Sequence, residues 1–176
     1  MGNIIYSVQQ DNLTTDMGIT PILPGNIEDA SKNFAAGQAV IAGQPLALAL
    51  DAASNTVLEV GTDASVVYGL AKESVNLSAN VNEVNDKGGY GIFGSGKITA
   101  CIFGVYEVKN FKYATSDGTT VDFNAIDTID SSFVPGAALG ANASGLIAVV
   151  DANATSYFGT LIATNYDDAI QVKIGF

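Results

Sequence analysis

The stretch Gly91-Ile92-Phe93-Gly94-Ser95-Gly96-Lys97-Ile98 has the spacing that comes nearest to a catalytic motif. It matches the phosphate-binding loop G-x-x-x-x-G-K-[ST] up to the last position. A hydroxyl is needed there to hold magnesium, and Ile98 stands in its place. Such a loop must also open a helix, because the helix N-terminus carries part of the phosphate charge. The next residues are Thr99-Ala100-Cys101-Ile102-Phe103, rich in β-branched and aromatic side chains. The expected structure is therefore a Gly-Ser-Gly turn between two strands.

The acidic residues offer different chemistry. Asp122, Asp127 and Asp130 cluster in the sequence, and Asp167 and Asp168 are adjacent. A paired-carboxylate hydrolase needs two such acids facing each other across a cleft. No Trp accompanies them for sugar stacking, and they read as solvated loops. Asp151-x-Asn153 opens like a calcium loop but lacks the later ligands and the glycine. The Ser-x-x-Lys spacing of a histidine-free nucleophile is absent; Ser31-Lys32 and Ser95-Gly96-Lys97 do not supply it. The chain has no His, which removes the Ser–His–Asp and Cys–His mechanisms and most zinc sites. Cys101 is the single cysteine, so no intrachain disulfide can form, and a buried structural thiol is expected. The sequence thus leads to the expectation of a non-enzyme with no catalytic residue, no cofactor and no metal.

Composition limits the partners. The net charge is −11, from 18 acidic residues against 7 basic ones, and all seven are Lys: 32, 72, 87, 97, 109, 112 and 173. Arg is the usual reader of phosphates and base edges, and nucleic-acid affinity rests on phosphate neutralisation, so nucleic acid is not an expected partner. An anionic membrane surface is disfavoured for the same reason. The N-terminus has no basic region leading into an apolar run, so no signal peptide is expected. It misses the myristoylation pattern at Tyr6. No apolar stretch reaches the ~18 residues of a membrane span. The chain is 48% hydrophobic and only 14% charged, which fits a protein that buries apolar surface against other proteins as well as in its own core.

The elements that would position these residues read as β. Residues 1–35 are rich in Asn, Gln, Asp, Thr and Pro and are expected to form an extended N-terminal arm. A short helix is expected over 27–34, capped by Asn26 and ended by Gly37. Residues 36–176 are expected to form one β domain. Short apolar runs fall at 39–42, 46–50, 56–60, 66–71, 97–108, 146–150, 157–163 and 170–174, and an alternating polar segment at 75–86. Glycine-rich turns at this spacing imply a small β-barrel or a sandwich. A weak internal repeat links 43–71 with 136–163. Gly43-x-x-Leu46 matches Gly136-x-x-Leu139, Val57 matches Ile147, and Tyr68-Gly69 matches Phe158-Gly159.

The run Ala42-Gly43-Gln44-Pro45-Leu46, the turn Asp51–Asn55 and the run Val66-Val67-Tyr68-Gly69-Leu70-Ala71 resemble small capsid decoration (cement) proteins of tailed phages. Residues 75–135 lie outside the resemblance. It implies a compact barrel or tulip-like fold with no catalytic residues. It also implies a structural role on the outside of a virion, where trimers or dimers of the chain clamp the major capsid protein after synthesis in the host cytoplasm. Other virion parts, such as a head-fibre base or tail tube, and a bacterial surface or adhesin module are the competing expectations.

Overall fold

A computed structural model of the chain describes residues 18–35, 38–73, 75–76, 97–109, 112–114, 120–122, 130–165 and 169–175. The protein is mainly β, and the described residues contain no helix. In chain order the strands are β1 (Gly18–Pro21), β2 (Ile27–Asp29), β3 (Asn33–Phe34), β4 (Ala39–Val40), β5 (Pro45–Leu50), β6 (Thr56–Val60), β7 (Val67–Ala71) and β8 (Val75–Asn76). They continue as β9 (Ala100–Lys109), β10 (Lys112–Ala114), β11 (Thr120–Asp122), β12 (Ala138–Ala141), β13 (Ile147–Val149), β14 (Gly159–Asn165) and β15 (Ala169–Ile174). One open sheet of mixed direction runs β11-β10-β13-β12-β14-β15-β9-β7-β5-β6-β3, and β1 and β2 lie along β9 off that path. β4 and β8 pair with each other in a separate ribbon.

Two five-strand groups in this sheet share one pattern. In β3-β6-β5-β7-β9 the first pair is parallel and the rest antiparallel. In β10-β13-β12-β14-β15 the same holds in the same order. The antiparallel pair β9–β15 joins the groups at the middle of the sheet. Leu46 pairs with Gly69 as Leu139 pairs with Gly159, and Leu46 and Leu139 are both fully buried. The partners across the hairpins place Leu58 where Ile147 stands, one residue away from the Val57–Ile147 match read from the sequence. The reason is hairpin length. Leu46 stands five residues before the Asp51 turn, whereas Leu139 stands three before the Asn142 turn.

β9 is the longest strand among the described residues and changes partners along its length. Its start, Ala100–Cys101, lies between β2 and β7, and its end, 104–109, between β1 and β15. The change falls at a register shift opposite Ile27 and Glu28, next to Gly104 at φ +127°. An inserted residue of this kind flips the side-chain alternation of a strand. Cys101 therefore points into the same apolar cluster as Tyr106 and Val108, although their parities differ. That cluster also holds Leu70, Leu139, Ile147, Phe158, Leu161, Ile170 and Val172. A second cluster of Phe34, Val40, Leu46, Leu58, Ala71, Ile98 and Ala100 fills the other face of the β5–β7 region. Adjacent Leu70 and Ala71 enter different clusters, as the two-residue strand period requires.

The helix expected over 27–34 is not formed; this segment is β2 and β3. The side-chain amide of Asn26, expected as a helix cap, instead pairs with Val105. It accepts from the Val105 amide at 3.0 Å and donates to the Val105 carbonyl at 3.3 Å, bridging the break between β1 and β2. The backbone edge of a long apolar strand must find partners, and this outweighs a weak local helix signal. Residues 18–34, expected to belong to the arm, thus contribute three strands to the sheet, while residues 1–17 of that arm lie outside the described residues. Of the alternating segment 75–86, the first two residues form β8 and the rest from 77 lie outside them. Strands β10, β11 and β12 were not expected from the sequence.

Candidate interaction surface

The polar side chains that the fold gathers lie where β2, β9 and β7 run side by side. Lys72 Nζ donates to Glu28 Oε2 at 2.6 Å, tying the edge strand β2 to the end of β7 across β9. Its hydrogen bond to Glu28 raises the Lys72 pKa. Asp29 accepts from the Ser31 amide at 2.7 Å, the Tyr68 hydroxyl at 2.7 Å and Lys32 Nζ at 3.2 Å. These bonds, those from Ser31 and Tyr68 foremost, hold its carboxyl far below the usual 3.8 and push the Tyr68 hydroxyl up to about 12. Burial is the main cause raising the Glu73 carboxyl, which accepts from the Thr99 amide at 2.8 Å. The buried Tyr106 hydroxyl lies 3.2 Å from the carbonyls of both Ile27 and Phe103. The Lys72–Glu28, Tyr68–Asp29 and Tyr106–Ile27 contacts fasten the N-terminal edge to β7 or β9.

The lowered Asp29 pKa makes this edge sensitive to acid. A depressed carboxylate stabilises the fold above its unfolded pKa, and that contribution is lost as pH falls toward the folded value. Asp29→Asn should therefore lower the urea midpoint at pH 6 and flatten its decline below about pH 4. Equal slopes for the two proteins between pH 5 and pH 2 would refute this role for Asp29.

Among the described residues, those singled out for chemistry are not brought together. Residues 91–96 lie outside the described residues. Lys97 is exposed, bridges to Asn33 and leads through buried Ile98 into strand β9, so the chain enters a strand where a phosphate loop needs a helix. Asp122 lies in β11, Asp130 accepts from the Ser132 amide and hydroxyl in a turn, and Asp127, Asp167 and Asp168 lie outside the described residues. Asp151 and Asn153 close a local turn through the Asn153 amide at 2.8 Å. Cys101 is buried, and burial is the main cause pushing its thiol up to about 12. Among the described residues no group of three or more His, Cys, Asp or Glu is placed to hold a metal ion.

The surface is notable for its apolar side chains. Leu48 is 47% exposed, Leu50 70% and Val66 75%, although all lie in or beside strands. Leu48 and Leu50 share the face of β5 that carries buried Leu46. With Ala47, Ser65, Val67 and Tyr68, Leu48 and Val66 line an open groove of about 400 Å³. A second apolar group, Ile22, Leu23, Ile27 and Phe103, lies along the β1–β2 edge. Sequence reading placed Leu46–Leu50 in a strand without separating its inner from its outer leucines. The longer spacing from Leu46 to its turn was the signal that could have done so. No protein-family model, no curated protein and no solved structure matches the chain.

Proposed function

We propose that the chain is a structural virion protein that binds the outside of a tailed-phage capsid and cements or decorates its major capsid subunits, working as a homotrimer or homodimer. The observation that carries this reading is the apolar surface presented by a mainly β chain, on Leu48, Leu50 and Val66 and again along the β1–β2 edge. Apolar exposure of this kind marks surfaces that meet other proteins. The stretch with the decoration-protein pattern, 43–71, is the one that forms β5, β6 and β7 and carries the first of these patches. In this reading the open sheet is the body of a compact barrel, tulip-like or sandwich shape, and the acidic charge keeps free copies soluble.

Co-sedimentation with purified empty capsids tests the proposal, comparing the full chain with one lacking residues 1–17, which leaves β1 intact. Pelleting of both proteins places the contact on the sheet. Pelleting of the full chain alone places it in the N-terminal segment. Failure of both to pellet, with tubes or fibres formed by the protein itself, would replace the cement role with a tail or fibre component.

A further inference from the structure

The molecule contains its own control for the β5–β6 hairpin, because β12–β13 occupies the same place in the other five-strand group. The two turns are built alike. The Asp51 side chain accepts from the amides of Ala53 at 2.9 Å and Asn55 at 2.8 Å, and the Asn142 side chain from those of Ser144 at 3.0 Å and Leu146 at 2.9 Å. Ser54 at φ 64° stands where Gly145 stands at φ 72°. Their surroundings differ. The Asn142–Leu146 tip is packed in: the Gly145 carbonyl accepts from Gln44 Nε2 at 3.0 Å, Gly145 sits against Val60, and Leu146 is buried. The Asp51–Asn55 tip is exposed throughout. Its hairpin is longer by two paired positions, since β5 and β6 pair from Leu46 to Leu50 while β12 and β13 pair from Leu139 to Ala141. Leu48 takes the place of fully buried Ala141, and Leu50 has no counterpart. The sheet thus closes its second hairpin without the extension or its leucines.

We infer that the extended β5–β6 hairpin is a docking element for a protein partner that offers an apolar socket flanked by basic side chains. The charge carried by the hairpin and its flanking segments selects that partner. No Lys or Arg occurs from residue 33 to residue 71, and the exposed acids Asp51 and Asp63 stand at the tip and just before Val66. A second copy of the chain fits less well. The surface matching the seat of the packed tip is Ala137, Val149 and Val150, and Asp151 adjoins it, so it would set acid against Asp51.

The inference rests on the capsid reading for the identity of the partner, and two experiments separate the two. In the first, purified empty capsids are titrated with the wild-type protein, with Leu48→Ala/Leu50→Ser, and with Asp51→Asn/Asp63→Asn. Asn142 shows that Asn supports the same turn, and thermal melts check that each variant folds. The leucine variant should bind about tenfold or more weakly, and the neutralised variant should bind more weakly with a flatter salt dependence. Wild-type affinity in both variants overturns the inference and leaves the capsid reading intact. If the wild-type protein itself does not bind capsids, that reading fails. The inference is then decided by titrating labelled protein with a synthetic peptide of alternating Leu and Lys, and with its Leu-Glu counterpart. Amide shifts at Leu48, Leu50 and Val66 with the lysine peptide alone support it, and no shift overturns it. Sedimentation velocity completes the test: self-association of the wild-type protein that the leucine variant loses would make a second copy the occupant and overturn the basic partner.

Discussion

Gly159→Ala should lower the thermal midpoint by about 10 °C. The two strands β14 and β15 approach so closely that a Cβ at 159 would strike the carbonyl oxygen of Lys173 and lie 3.2 Å from Ile174 Cα. Both are backbone atoms, with no side chain to swing aside. β14 cannot retreat the other way, because the Phe158 amide donates to the Leu139 carbonyl at 2.9 Å and the Gly175 amide to the Phe158 carbonyl at 3.1 Å. Overpacking that must move backbone costs about 3 kcal/mol, and each kcal/mol shifts the midpoint of a chain this long by roughly 2–4 °C. Gly69, at the same place in the other group, meets the Cys101 carbonyl at 2.5 Å and should show a comparable loss as Gly69→Ala. Gly136 is the control: its φ is +92° but nothing lies within 4 Å, so Gly136→Ala should cost only about 1–2 kcal/mol of left-handed strain. Thermal melts of the three variants check the order. A Gly159→Ala protein melting within about 2 °C of wild type would mean that the strands can separate at little cost.

Leu46→Ala and Leu139→Ala should each cost about 3 kcal/mol, and the double variant about the sum. Both leucines are fully buried and occupy matching positions in β5 and β12. Their surroundings are distinct. Leu46 belongs to the cluster with Phe34, Val40, Leu58 and Ile98, and Leu139 to the one with Tyr106, Ile147, Phe158 and Leu161. Large-to-small changes in separate clusters leave separate cavities, so their costs should add within about 0.5 kcal/mol. Urea unfolding of the four proteins measures this directly. A coupling above about 1 kcal/mol would show that the two clusters behave as one core.

The two glycines also show how far local reading reaches. Tyr68-Gly69 and Phe158-Gly159 match in sequence because an aromatic residue before Gly recurs at a fixed offset. The reason for the glycine at both places, a neighbouring carbonyl with no room for a Cβ, is a contact between strands and is absent from either segment alone. The central strand β12 escaped sequence reading for a related cause. Ala138-Leu139-Gly140-Ala141 has little β propensity of its own and is held extended by β13 on one side and β14 on the other.

The sequence by itself determined the class of structure and the limits on chemistry. Apolar runs broken by Gly and Asp turns specify short strands, because the two-residue period and the turn conformations are properties of local backbone. The absence of His, Arg and Trp is likewise complete in the sequence, and no fold can restore those side chains. Only the tertiary structure decided that the polar segment 18–34 joins the sheet, since β1 and β2 exist through pairing with β9, some 70 or more residues away. The same holds for which leucines of β5 face the core. Leu46, Leu48 and Leu50 share one alternation, and what separates buried from exposed is how far the hairpin runs past the elements packed against it. That distance is set by contacts between remote segments, which local propensity does not encode.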